Sequence, residues 1–462
     1  MSMSPPAIAL NRFGLGARPD EAVPGDPKAW LRAQLGRFET RPPAIATLPG
    51  TREIAARYRP NWPGKGRPPA PADKAARVER NRAMQALYHA AINARAESAL
   101  VTPAPFVERL VHFWSNHFAV SVSKPGLAAF AGAFEAEAIR PHVLGRFEDL
   151  LLAAERHIAM QLYLDQASSV GPSSRFATRG TARNGQQQRP GLNENLAREI
   201  MELHTLGVRS GYSQADVTEF ARAMTGWGVA GYGRGSRLDK AEPGTFLFRQ
   251  QVHEPGPRTI LGKTYGEPGE GQALAVLRDL AASPATARHL AGKLARHFAG
   301  DTPPPALVDR LAAAFTANRG DLASLYRALI DAPESWAAAP AKFKTPWEWL
   351  ISAMRGTGYR SLGGVAVGPT LVQLGQPVWR PGSPAGYDDV AASWIGPDAL
   401  LRRVEVAQRI ASRLGDDFEP RALASKILPG AVGPATAGAI AQADSVATGI
   451  ALLLVSPDFQ RR

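Results

Sequence analysis

The chain contains no cysteine. That excludes thiol nucleophiles, cysteine-ligated zinc, iron–sulfur clusters and disulfides together, and it leaves the compartment open. No uninterrupted apolar stretch approaches the ~20 residues of a membrane span. The opening residues, MSMSPPAIALNRFGLG, place no basic residue before a long apolar run. No secretory signal is read there, so the expected location is cytoplasmic, with export alongside a partner left open. His-Glu-x-x-His, the Gly-x-Ser-x-Gly elbow, the Walker loop and the EF-hand are all missing. The GYGRGS run at 231–236 is not a phosphate loop, because it lacks a Lys-Ser/Thr ending and follows no convincing strand. Any chemistry must come from side chains assembled across elements.

What is present is a globular composition in 462 residues, 45% hydrophobic and 21% charged, enough for a large core. Alanine and leucine at helical spacing predict a mainly α protein, a multi-helix globular bundle with one small β-hairpin. The chain divides into a helical region over 1–165, a basic, flexible loop over 166–192 and a helical region over 193–462, read together as one continuous globular unit. Residues 42–71, rich in proline and glycine, read as an irregular arm, and 72–100 as one long helix. The 54 Lys and Arg against 41 Asp and Glu give a formal charge of +13, which favours an anionic polymer or another acidic partner. The arginines are spread along the chain and form no arm, which argues against nucleic acid.

The most structured stretch is Asn193 to Gly207, NENLAREIMELHTLG. Asn193 suits a helix N-cap and Gly207 the left-handed residue after the last turn. At ~100° per residue, Glu194, Asn195, Arg198, Glu199 and Glu202 share one polar arc, while His204 falls among Leu196, Ile200 and Met201. The plain alternative for the polar arc is a solvated face with an Arg198–Glu202 pair. A second histidine, His117, lies in the apolar arc of PAPFVERLVHFWSNHF, a helix expected to start at Thr102-Pro103, with Asn116 and Arg109 on its polar side. Further helices are expected over 127–139, 147–164, 283–299 and 305–330. The strand-like TFLF and RTILGKTY within 244–265 predict the hairpin, turning at His253-Glu254-Pro255-Gly256. His297 shares a stripe with Leu290 and Leu294 and reads as a core histidine, while Lys344 and Glu348, four apart, read as a surface pair.

LNRFGLGARP, ERLVHFWSNHFAVS, GLNENLAREIMELHTLGV, YSQADVTEFARAMTGW, HEPGPRTILG, FKTPWEWLISAMR and SPDFQRR occur in that order from the tenth residue to the last. Together they resemble the bacterial family catalogued as "domain of unknown function 1800". The resemblance implies a mostly helical globular protein, and a functional partner similar to sulfatases and alkaline phosphatases. The sequence departs from the family's usual pattern in the hairpin, where His253-Glu254 and Arg258 stand in place of His-Asp and a lysine.

Two readings of function follow. In one, imidazole and carboxylate groups, His117, Glu199, Glu202, His204 and His253, form a catalytic centre in a bundle core. That centre would work by acid–base chemistry or through a divalent transition metal. Asn116, Asn193, Glu194, Asn195, Arg198 and Lys344 are then the candidate substrate contacts. In the other, these groups only lock helix packing, and the basic surface makes a non-catalytic accessory protein for an acidic polymer or a sulfatase- or phosphatase-like partner.

Overall fold

The structure, a computed structural model, describes residues 2–58, 71–181, 191–233, 236, 239–340, 342–414 and 418–462. It is mainly α. The helix Pro71–Val101 packs on Pro346–Gly356 and Val367–Gln373, while Pro284–Ala299, Pro305–Ala317 and Leu322–Asp331 pack in succession, and Pro397–Ala411 lies against Val446–Val455. One continuous apolar core runs from Met3 to Phe459 and includes Phe13, Phe106, Trp114 and Trp349.

Prolines and small polar residues set the boundaries more finely than periodicity does. The helix expected at Pro103 begins at Pro105 and runs to His117. The cause is the second proline: a residue before proline is pushed out of the helical region, and Ala104 sits at φ −127°, ψ 61°. The 147–164 helix is broken by the extended His157, whose Nδ1 accepts the Ala159 N–H at 3.2 Å and caps the second piece. The arm expected over 42–71 contains two helical segments, Pro43–Ala46 and Thr51–Arg57, while 59–70 lie outside the described residues. Within the loop expected over 166–192, Gln166–Ser168 and Arg175–Thr181 are helical, and 182–190 lie outside the described residues.

The β structure is small, and its pairing differs from the expected one. Phe246–Phe248 pairs antiparallel with Trp227–Val229, while Arg258–Ile260 pairs with Lys263–Tyr265. A helical turn at Gln250–Val252 interrupts the first strand before it can reach the second. The hairpin instead closes through Leu261 and Gly262, both at positive φ (51° and 75°), as a two-residue turn requires.

The N-terminal LNRFGLG segment is clamped from three sides. Gly16 is at φ +102°, and a Cβ there would lie 2.7 Å from the Ser352 Cβ, so only glycine lets this loop lie on the Pro346–Gly356 helix. Arg109 donates to the Gly14 carbonyl (2.8 and 2.6 Å) and to Glu348, and Arg355 donates to the Gly16 carbonyl at 3.0 Å. Glu348 accepts from Arg462 Nη2 at 2.7 Å and from the Thr345 N–H at 3.0 Å. The surface pair expected of Lys344 and Glu348 is therefore absent. Both are buried, Glu348 is paired with two arginines, and Lys344 Nζ donates to Ser352 Oγ at 3.1 Å over the Phe459 ring. Removing one member of a buried pair leaves an uncompensated charge. Glu348→Gln is therefore expected to cost about 3–5 kcal/mol in urea unfolding, whereas Arg198→Ala, which breaks a half-exposed pair, costs about 1 kcal/mol or less. Equal losses would show that Glu348 holds nothing together.

Candidate active site

The Pro105–His117 helix, the Pro284–Ala299 helix, the start of Pro346–Gly356 and the segment 376–390 enclose a cavity of about 280 Å³. On its wall, His297 Nδ1 lies 2.8 Å from Asp389 Oδ2. A carboxylate only accepts, so Nδ1 carries the proton and Nε2 keeps a lone pair. Nε2 is buried with no hydrogen-bond partner, 3.9 Å from Glu348 Oε1. Burial opposes the Asp389 charge, but the His297 ring and the Lys342 ammonium outweigh it and hold the carboxyl down to about 2. Burial pushes the His297 ring below its ordinary value, with Asp389 pulling the other way. One turn earlier on the same helix face, Lys293 also lines the cavity, and burial brings its amine down to about 8. His112 accepts a hydrogen bond at Nδ1 from the Trp347 indole N–H at 3.1 Å, and burial followed by the Arg95 charge lowers it to about 4.

The expected site residues fall into several places. Asn116 and His117 line this cavity. Asn116 holds segment 376–390 by accepting the Tyr387 N–H at 2.7 Å and donating to the Tyr387 carbonyl at 2.8 Å. His117 also adjoins a second group of imidazoles, its ring centroid 6.0 Å from His204 and 6.3 Å from His289. Its Nε2 donates to the His204 carbonyl at 3.2 Å, and burial drives its ring well below the ordinary histidine value. His204 Nδ1 donates to the fully buried Glu155 Oε1 at 2.8 Å. It reaches that position because the Asn195–Glu199 helix loosens into a π-turn over Ile200–His204. Gly207 follows at φ +93°, where a Cβ would lie 2.8 Å from His289 Nδ1, so glycine is what lets His289 approach.

The polar arc of the same helix is a network of its own. Asn193 Oδ1 accepts the Asn195 N–H at 2.8 Å, as the cap requires, and Glu194 accepts from Thr218 (2.7 Å), Gln214 (2.8 Å) and Arg198 (3.3 Å). Glu202 lies 3.6 Å from Arg198. Glu199, half-buried, is raised by burial. His253 stands elsewhere, donating from Nδ1 to the Thr225 carbonyl at 2.8 Å against the Phe248 ring. The structure therefore joins His117 to His204 but not to His253. Among the described residues, no group of three or more His, Asp or Glu side chains is arranged to hold a metal ion, and no helix is long and apolar enough to cross a membrane.

His297, read from the sequence as a core histidine, is buried as that reading requires but carries a carboxylate partner, while Lys293, Asp389 and His112 are residues that sequence reasoning passed over. His289, Lys293 and His297, at i, i+4 and i+8, were legible as one helical face. Asp389, 92 residues beyond His297, gave no local signal.

Three imidazoles, the partly buried His112 and His289 lowered to about 4 and the buried His117 lower than its ordinary value, stay neutral in the folded protein. The unfolded chain binds their protons first, between roughly pH 6.5 and pH 4, so stability must fall on acidification through that window. Glu199, with a raised carboxyl, opposes this as one group against three. Urea unfolding at pH 7 and pH 5 is expected to show the protein less stable at pH 5, by a margin that narrows in His289→Gln. Equal stabilities would mean that these rings are protonated in the fold.

No curated protein and no solved structure matches the chain. Residues 8–461 match the family described as "Protein of unknown function (DUF1800)". With nearly the whole length matched, and with the helical architecture that its motifs imply, the chain belongs to that family.

Proposed function

We propose that the cavity is the active site of an enzyme that works by general acid–base chemistry on a small, polar, negatively charged unit, such as one residue of an acidic polymer. The observation that carries this reading is the His297–Asp389 pair, with Nε2 unpartnered at the cavity wall. A neutral imidazole whose other nitrogen is locked by a carboxylate is a general base with a fixed tautomer. Lys293, held near 8, is available as an ammonium one helical turn away and supplies the complementary acid. Two groups whose environments push their proton affinities apart are what divides acid from base roles. Trp347 and Trp379 offer flat apolar walls, and the cavity of about 280 Å³ suits a single ring rather than a chain. Lys293 and the exposed Arg296 favour an anion, as does the net charge of +13.

Turnover of a panel of acidic polysaccharides, followed through new reducing ends and unsaturated products, tests the reading. Activity is expected to rise with pH through the His297 titration below 6.5 and to fall near pH 8 as Lys293 loses its proton. His297→Gln is expected to lower kcat by roughly 10²- to 10⁴-fold, and Lys293→Met to remove the alkaline limb. Turnover that survives both substitutions with its pH profile unchanged would rule the cavity out as the reaction site.

A further inference from the structure

A second cavity, of about 570 Å³, lies between the first turns of the Pro71–Val101 helix and the residues around 124–126, 161–168 and 232–233. Arg77, Arg80, Asn81 and Met84 line it, at i, i+3, i+4 and i+7, so one helix face supplies two guanidinium groups. Among the described residues neither arginine forms an ion pair, whereas the neighbouring Arg82 pairs with Glu79 and Lys124 pairs with Asp165 at 2.6 Å. Lys124 and Asp165 cancel, and the two arginines leave the cavity with net positive charge. Gln161, on the opposite wall and fully buried, donates from Nε2 to the Glu155 carbonyl at 2.7 Å. Its Oε1 has no partner. A buried acceptor left unpaired is costly, and a hydroxyl donor from a ligand would satisfy it. Phe130 and Tyr232, ring centroids 6.3 Å apart, supply aromatic surface beside it.

We infer that this cavity is a binding site for a hydroxylated ring bearing a phosphate or sulfate ester, with the ester on Arg77 and Arg80, a ring hydroxyl on Gln161 Oε1 and the ring against Phe130. Guanidinium groups match the oxygens of such esters in pairs, and a sugar ring offers both the hydroxyls and the apolar face the rest of the wall requires. The site stands apart from the His297 cavity and does not depend on the chemistry proposed there.

Calorimetric titration of the full chain with glucose 6-phosphate, glucose 6-sulfate and glucose tests the assignment. Saturable binding of at least one ester and none of glucose is expected, with affinity falling as salt is raised. The stronger ester identifies which anion the arginines select. Arg77→Gln/Arg80→Gln is expected to weaken binding by roughly tenfold or more, the effect of losing charge-assisted hydrogen bonds. Lys293→Met, altered only in the first cavity, is expected to bind as the unsubstituted chain does. If the double variant misfolds, Arg77→Gln alone, at an exposed position, shows the same direction. Absence of saturable binding by either ester overturns the assignment. So does full affinity in the arginine variants, or loss of binding in Lys293→Met.

Discussion

The carboxylate of Glu348 is the constraint on which the rest of the structure depends. A buried charge must be matched, and this one is matched by arginines that come from 239 and 114 residues away, Arg109 and Arg462. Burial opposes its ionisation, but Arg462 and Arg109 hold it well below the carboxylate range. Each arginine then spends its remaining donors on backbone: Arg109 on Gly14, Arg462 on the His297 carbonyl at 2.9 Å. One side chain thus ties the N-terminal segment, two core helices and the last residue of the chain together. Buried pairs of this kind fix geometry more than they add net stability, and the geometry fixed here is the wall that carries His297.

The same device recurs around the cavity. Arg140 forks onto the fully buried Glu108 (2.7 and 2.9 Å), and Arg95 donates from Nε to both oxygens of Glu135 (3.0 and 2.9 Å) while lying 4.2 Å over the Trp347 ring. Planar guanidinium groups serve this role because they satisfy a carboxylate in pairs and still stack on an aromatic face. The framework behind the cavity wall is therefore built from paired charges. Against that background Nε2 of His297 is a buried wall nitrogen without a hydrogen-bond partner, as are Nε2 of His112 and Nδ1 of His117, and of these three rings only His297 is locked by a carboxylate at its other nitrogen.

The fold class was legible because it rests on periodicity, and the ends of the acidic stretch were legible because caps are local. Asn193 accepts its N–H and Gly207 adopts its left-handed φ as the residue types require. His117 and His204 were both placed on apolar faces by spacing, and both are buried. What spacing cannot give is who meets whom. Lys344 and Glu348 have the i, i+4 separation of a surface pair, and only the arrival of Arg109 and Arg462 shows that the position is interior. His297 looked partnerless because Asp389 comes from a segment without regular structure, which no helical or strand pattern marks. The strand pairing was misread for a similar reason. The partner of Phe246–Phe248 precedes it, and a single helical turn at Gln250–Val252 redirects the chain.

The central claim is that this buried framework presents His297 as a neutral base, oriented by Asp389. Nitrogen NMR of the histidine side chains across pH reads the proton on each ring nitrogen directly. The account predicts that at pH 7 the His297 ring is uncharged, with its proton on Nδ1 and a bare Nε2, and that Asp389→Asn disturbs this tautomer. A ring carrying both protons at pH 7, or one protonated on Nε2 alone, would contradict it.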